Sequence, residues 1–136
     1  MDAFDTDVLI YATSADNPLG RTVADLIQAS AASGGGIGGV GSLLLVPELL
    51  NKPLRRDAED EVTAIRRILE RLELLPVTED IAGDAATLAA RYRLRTVDAV
   101  HLATAVAAGA DRFITNNRRD FSKDIAEVAV VYPDEL

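Results

Sequence analysis

The sequence predicts an α/β protein in which a central parallel sheet of four or five strands lies between two layers of helices. Short apolar segments with strand character alternate with longer segments in which apolar residues recur every three or four positions. Such alternation is typical of parallel sheets covered by helices on both faces. The 136 residues are 49% hydrophobic, which is sufficient for the core of one ordinary domain. We therefore expect a single three-layer α/β/α domain over residues 1–136.

Strands are expected where short apolar runs are bounded by turn residues. The first run opens the chain, and the second follows a glycine-rich stretch. The predicted strands are 3–5, 37–40, 74–77, 113–115 and 128–132. Ligands of parallel α/β sheets bind beyond the carboxyl ends of the strands. The residues that directly follow these segments are therefore the first candidates for a functional site.

The helices are expected between these strands. Val62, Ile65 and Leu69 have the spacing of one apolar helix face. Thr96 is predicted as an N-cap, and Gly109 as the end of the helix that Thr96 begins. The predicted helical segments are 8–11, 20–32, 43–50, 58–72, a segment from 79 onward, and 97–108.

The composition of the chain excludes several kinds of functional site. The absence of cysteine excludes disulfides, thiolate metal sites and cysteine nucleophiles. The acidic N-terminus does not have the pattern of a signal peptide, and no apolar run reaches transmembrane length. We expect a cytoplasmic protein that does not contact membranes. The net charge of −8 disfavours phosphate binding overall, although basic clusters at Lys52, Arg55, Arg118 and Arg119 are candidates for an RNA path.

Five polar residues are candidates for chemistry. Asp5 ends the first predicted strand, and Asn117 and Asp120 follow the fourth. Glu48 interrupts an apolar run, where a carboxylate is costly to bury unless it is paired. Asp98 lies at the start of a helix, where the helix dipole favours an acid. Each residue also has an ordinary explanation as a cap, a turn residue or a solvent-facing acid.

The combination of these residues is more informative than any one of them. In a doubly wound sheet, such positions converge on one crevice. Two carboxylates about 4 Å apart repel by about 4 kcal/mol at an effective dielectric near 20, and a divalent cation removes this repulsion. Oxygen ligands without cysteine indicate Mg²⁺ or Mn²⁺ rather than zinc.

Four segments together resemble the motifs of PIN-domain ribonucleases. Residues 4–10 read FDTDVLI, and residues 42–50 read SLLLVPELL with Glu48 at the position of the family's glutamate. Residues 96–105 read TVDAVHLATA and carry Asp98, and residues 113–121 read FITNNRRDF. The resemblance spans nearly the whole chain in the family's order. The compact form is most similar to the VapC toxins of bacterial toxin–antitoxin pairs.

The resemblance implies a metal-dependent endoribonuclease in which Asp5, Glu48 and Asp98 hold one or two Mg²⁺ ions. The ion would activate a water for attack on an RNA phosphodiester. Supporting hydrogen bonds would come from the residues around these acids, namely Thr6, Asp7 and Thr115. The resemblance also implies a cognate antitoxin as partner, and a homodimer.

One position departs from the family pattern. The family usually has an aspartate two residues after the threonine of the last motif, and this chain has Asn117 there. An amide oxygen can bind a metal or a bridging water, but it brings no charge. Two alternatives stay open: Asp120 replaces the missing acid, or the site holds one metal weakly.

The sequence leaves three further points of interpretation. A degenerate PIN domain that only binds a partner is the alternative that Asn117 favours. Asp5 and Asp7 also fit the Asp-x-Asp opening of haloacid-dehalogenase-type phosphatases, but only Lys123 and Asp124 follow where that class needs a cation and a later acidic pair. His101, the only histidine, is interpreted as a partly buried side chain of an apolar helix rather than as a base or ligand.

Overall fold

The computed structural model describes residues 1–14 and 16–136. Within these residues it contains five strands, six α-helices and a short 3₁₀ helix at Pro133–Glu135. The strands are β1 (Asp2–Phe4), β2 (Gly39–Ser42), β3 (Leu72–Leu75), β4 (Arg112–Ile114) and β5 (Ala129–Val131). The helices are α1 (Thr6–Ala12), α2 (Pro18–Ser33), α3 (Leu45–Arg55), α4 (Glu59–Leu69), α5 (Glu79–Tyr92) and α6 (Thr96–Ala107).

All five strands form one parallel sheet in the order β3-β2-β1-β4-β5. The chain builds outward from β1 through β2 to β3, and then returns to the other side of β1 to add β4 and β5. The direction of winding therefore reverses between β1 and β4, where Phe4 is in register with Ile114. Such a reversal opens a crevice at the carboxyl ends of the two strands, which is where open α/β sheets bind their ligands.

Two apolar cores cover the two faces of the sheet, because successive side chains of a strand point to opposite faces. Ala3 and Phe113 belong to the core formed with α5 and α6. Phe4 and Ile114 belong to the core formed with α1, α2, α3 and α4. The predicted three-layer α/β/α fold with a parallel sheet is confirmed, and the sheet has five strands.

Two strands lie two residues away from their predicted positions, and the other three differ from prediction by one residue at each end. β2 begins two residues later than the predicted 37–40 and continues through Gly41 to Ser42. A Cβ on Gly39 would come within 2.4 Å of the Phe4 ring, and one on Gly41 within 2.4 Å of Leu45. Glycine is therefore required here for close packing, and not for a loop. β3 is displaced in the opposite direction, at 72–75, where Leu72 is in register with Gly39.

Three helices, α1, α2 and α3, are longer than predicted, α4 is shorter than the predicted 58–72, and one predicted cap is wrong. α2 begins at Pro18 because the Oδ1 of Asn17 accepts hydrogen bonds from the N–H groups of Leu19 and Gly20. Thr96 is the first helical residue of α6 and not its N-cap, a position that Arg95 occupies without a side-chain hydrogen bond. None of the helices in the described ranges is long and apolar enough to cross a bilayer.

The packing of α1 against α2 yields a test of the fold. A Cβ on Gly20 would lie 1.8 Å from the backbone oxygen of Tyr11, and a backbone atom cannot move away as a side chain can. We expect Gly20→Ala to lower the free energy of unfolding by about 1–3 kcal/mol or more, as overpacking does. Urea denaturation measures this change.

Gly83→Ala is the matched control, because Gly83 is an exposed residue of α5 and no atom lies within 4 Å of a Cβ placed there. This variant should be more stable by up to about 1 kcal/mol through helix propensity. Equal stabilisation of the protein by both substitutions would contradict the described packing of the two helices.

Candidate active site

Asp5 lies at the bottom of the crevice between the carboxyl ends of β1 and β4. Its N–H donates to the carbonyl oxygen of Ile114 at 2.9 Å, which continues the β1–β4 ladder by one residue. Its carboxylate is 4% exposed. The Oδ1 atom accepts from the Thr6 N–H at 2.8 Å, and the Oδ2 atom accepts from the Thr115 hydroxyl at 2.8 Å. Asp5 is also the N-cap of α1, so one residue joins the central strand, the first helix and the loop after β4.

The charge of Asp5 is costly in this position. Burial raises the pKa of its carboxyl from 3.8 to about 6, and the nearby charge of Asp7 acts in the same direction, while the hydrogen bonds from Thr115 and Thr6 oppose the shift. Burial also raises the pKa of Asp98, and the charges of Asp5 and Asp120 raise it further. The acids therefore lie near enough to disfavour one another's ionisation.

Asp7 connects α1 to the loop that follows β4. Its Oδ1 atom accepts from the Val8 N–H at 2.7 Å, and its Oδ2 atom accepts from the Asn116 N–H at 3.1 Å. Burial raises the pKa of this carboxyl as well, although both backbone hydrogen bonds lower it. Asp7 therefore holds the loop that carries Asn117 and Asp120 against the site.

Glu48 projects from the first turn of α3 and is held by two donors. The Thr6 hydroxyl donates to its Oε1 atom at 2.7 Å, and the Nε2 atom of His101 also hydrogen-bonds to Oε1. Partial burial raises the pKa of Glu48, but the hydrogen bonds from His101 and Thr6 outweigh it, so that the pKa lies below its ordinary value. Glu48 therefore stays ionised more easily than Asp5 or Asp98.

Asn117 and Asp120 form a closed pair in the loop after β4. The Asn117 amide nitrogen donates to the Oδ2 atom of Asp120 at 3.0 Å, and the Asp120 N–H donates to the Asn117 Oδ1 atom at 3.2 Å. The Asn117 N–H donates to the Thr115 hydroxyl oxygen at 3.1 Å. Both polar groups of the Asn117 amide are thus used within the loop, whereas Asp120 is the residue whose charge acts on Asp98.

The four basic residues suggested for RNA lie outside this cluster of acids. Arg118 pairs with Asp134 at 2.6 Å and stacks on the Tyr132 ring at 4.3 Å. Arg55 donates to Asn51, one turn earlier in α3. Lys52 and Arg119 are exposed. In residues 1–14 and 16–136, none of the four makes a hydrogen bond or ion pair with an acid of the crevice.

His101 contacts the site although its position in an apolar helix predicts a core residue. It is buried, as expected for its apolar helix, but its Nε2 atom lies 3.4 Å from the Thr6 hydroxyl in addition to its contact with Glu48. The available signal was its position three residues after Asp98, which places both side chains on adjoining faces of one helix. That signal does not reveal the contact with α3.

The donor chemistry fits a hard divalent cation. Carboxylate groups lie around the switch point of the sheet, where burial and then the charges of neighbouring acids raise the pKa of Asp5 and Asp98, and a cation would relieve the repulsion between them. In the described part of the chain, no three Asp, Glu or His side chains already lie close enough to hold an ion together. Binding of an ion by three such side chains would therefore require some of these side chains to rotate.

Comparisons with known proteins agree with this architecture. Nine chains of solved structures match. A toxin–antitoxin complex from Klebsiella pneumoniae contains a chain with 26% identity and a TM-score of 0.73, covering 100% of both chains. A chain of VapBC2 from Rickettsia felis, bound to a DNA fragment from the promoter, shares the fold at 17% identity and a TM-score of 0.75, covering 96% of this chain and 97% of that one. A search of curated proteins finds no match.

The family assignment comes from the sequence model of the PIN domain. That model matches residues 3–127, which includes every strand except the last and all six α-helices. The matched region contains Asp5, Glu48, Asp98 and Asp120 in the order described above. The chain therefore belongs to the PIN domain family.

Proposed function

We propose that this protein is a metal-dependent endoribonuclease that serves as the toxin of a toxin–antitoxin pair. The observation that carries the proposal is the Asp5 carboxylate, which is buried at the switch point of the sheet with a raised pKa and with Asp98 and Asp120 nearby. A fold gains no stability from such a cluster in the absence of a cation. Groups held in this way are typical of functional sites.

The residues of the site would have different roles in this reaction. Asp5, Glu48, Asp98 and Asp120 present oxygen ligands for one or two Mg²⁺ or Mn²⁺ ions. When bound, such an ion supplies a water of lowered pKa and stabilises the negative charge that develops on a phosphate. Thr115 and Thr6 fix both oxygens of Asp5, which keeps the carboxylate pointing into the crevice.

The family and the neighbouring structures support the proposed partner and substrate. The Klebsiella pneumoniae chain, with 26% identity, was solved in a toxin–antitoxin complex, which supports an antitoxin as partner here. RNA is the proposed substrate, with the exposed side chains of Lys52, Arg55 and Arg119 as candidate contacts for its phosphates. We further propose a single domain over 1–136, a homodimer and a cytoplasmic location.

A binding module without catalysis is the second candidate. It is favoured by Asn117, which occupies a position where the family usually has an acid. Both polar groups of its amide are hydrogen-bonded to Asp120 within the loop. It predicts no cleavage of RNA at any Mn²⁺ concentration. The phosphatase alternative has no support from the family match.

The first test substitutes the central acids. Asp5→Asn and Asp98→Asn should each reduce RNA cleavage. The reduction should exceed the roughly 10–100-fold that is typical when a residue that hydrogen-bonds to a metal ligand is lost. In EDTA above pH 6, Asp5→Asn should be at least as stable as the wild type, because ionised Asp5 destabilises the folded state when its pKa is raised from 3.8 to about 6. That advantage should disappear as the pH falls to about 4, where the acid is protonated in the native protein. Cleavage of a structured RNA pool and urea denaturation measure the two effects.

Asp84→Asn, an exposed acid of α5, is the control for loss of one negative charge. It should keep full cleavage at every pH. Undiminished cleavage by Asp98→Asn would remove Asp98 from the site, and loss of cleavage by Asp84→Asn would show that the assay responds to net charge alone.

The second test decides between Asn117 and Asp120. Asp120→Asn should weaken Mn²⁺ binding in calorimetry and lower cleavage, because it removes the charge that acts on Asp98. Asn117→Asp should instead destabilise the protein in EDTA, because it replaces an amide that donates to Asp120 with a carboxylate that repels it. A gain in Mn²⁺ affinity for Asn117→Asp together with no effect of Asp120→Asn would show that position 117, and not 120, faces the metal.

A further inference from the structure

Glu48 is a partly exposed acid whose side-chain position depends on two hydrogen bonds. It lies in the first turn of α3, and its side chain is 34% exposed. A glutamate with this exposure ordinarily samples several rotamers, and fixing it costs up to about 2 kcal/mol of side-chain entropy. Its Oε1 atom is nevertheless bound by Thr6 from α1 and by His101 from α6. Two donors from two different helices thus converge on one oxygen atom.

His101 is well suited to hold that oxygen because its side chain is enclosed by the core. Its side chain is 1% exposed, and the residues on both sides of it in α6 are buried in the core with α5. Glu48 belongs to a helix that packs on the opposite face of the sheet. The contact therefore reaches across the edge of the sheet and joins the two helical layers at the site.

The ring nitrogens of His101 differ in their surroundings. Among the described residues, the buried Nδ1 atom has no hydrogen-bond partner. A buried N–H without an acceptor is rarer in proteins than a buried lone pair without a donor. The proton therefore belongs on Nε2, where it is donated to Glu48.

We infer that His101 is a positioning residue for Glu48. Its Nε2–H and the Thr6 hydroxyl together fix Oε1, so that Oε2, which accepts no hydrogen bond from the part of the chain described, remains free to bind. This inference rests on the proposed nuclease function and extends it to a residue outside the four acids. His101 itself touches neither substrate nor metal in this role.

The test is a double-mutant cycle between His101 and Glu48. His101→Leu should lower kcat for RNA cleavage and Mn²⁺ affinity by roughly 10–100-fold, as loss of an orienting partner does. His101→Gln, which offers an N–H at similar reach, should restore most of both. In a Glu48→Gln background, His101→Leu should cause little further loss, because its effect acts through Glu48.

Thr104→Val is the control for a merely structural change in the same helix. Thr104 is buried one turn after His101, and its hydroxyl donates to the Val100 carbonyl rather than to the site. This variant should keep wild-type kcat and Mn²⁺ affinity even if it is less stable. If His101→Leu does not fold, the ¹⁵N shifts of His101 in the wild-type protein test the inference directly: a protonated Nε2 is expected, and an unprotonated Nε2 would overturn it.

Failure of this inference and failure of the proposed function give different results. An active wild type with independent, multiplying effects of His101→Leu and Glu48→Gln would overturn the inference alone. So would a folded His101→Gln that is no better than His101→Leu. A wild type that binds Mn²⁺ without cleaving RNA would contradict the nuclease function, while the Mn²⁺ affinities of the cycle would still decide whether His101 positions Glu48. A wild type that neither binds Mn²⁺ nor cleaves RNA would overturn both.

Discussion

Burial of the Asp5 carboxylate at the carboxyl end of the central strand is the constraint on which the site depends. The side chain is 4% exposed and its pKa is raised to about 6, so its charge destabilises the metal-free fold at neutral pH. The position follows from topology, because β1 is the central strand and the winding reverses beside it. Two hydrogen bonds to the carboxylate offset part of the desolvation and set its direction.

The neighbouring elements are arranged around that carboxylate. Thr115 directly follows β4 and donates to Asp5, while Asp7 holds the next residue of the same loop, Asn116. Thr6 continues the arrangement toward α3, where it donates to Glu48. Three consecutive residues, Asp5 to Asp7, thus connect β1, α1, α3 and the loop after β4.

The sequence predicted the layers and the approximate location of the acids, because both depend on local periodicity and on order along the chain. It did not predict contacts that depend on packing. β2 was predicted two residues too early. Phe4 and Leu45, which leave no room for a Cβ at Gly39 and Gly41, become neighbours of these glycines only in the folded protein. His101 was interpreted as a core residue, and it is one, but its contact with Glu48 joins residues 53 positions apart. The pairing of Asn117 with Asp120 likewise became visible only in the folded loop.

We propose above all that the acids around Asp5 bind a divalent cation. Anomalous diffraction from crystals grown with Mn²⁺ tests this most directly, because the signal locates the ion without reference to activity. We predict one or two peaks within coordination distance, roughly 2.0–2.6 Å, of carboxylate oxygens that include Asp5 and Asp98. An ordered crevice without a peak at a saturating Mn²⁺ concentration, or a peak only at other acids on the surface, would contradict the account.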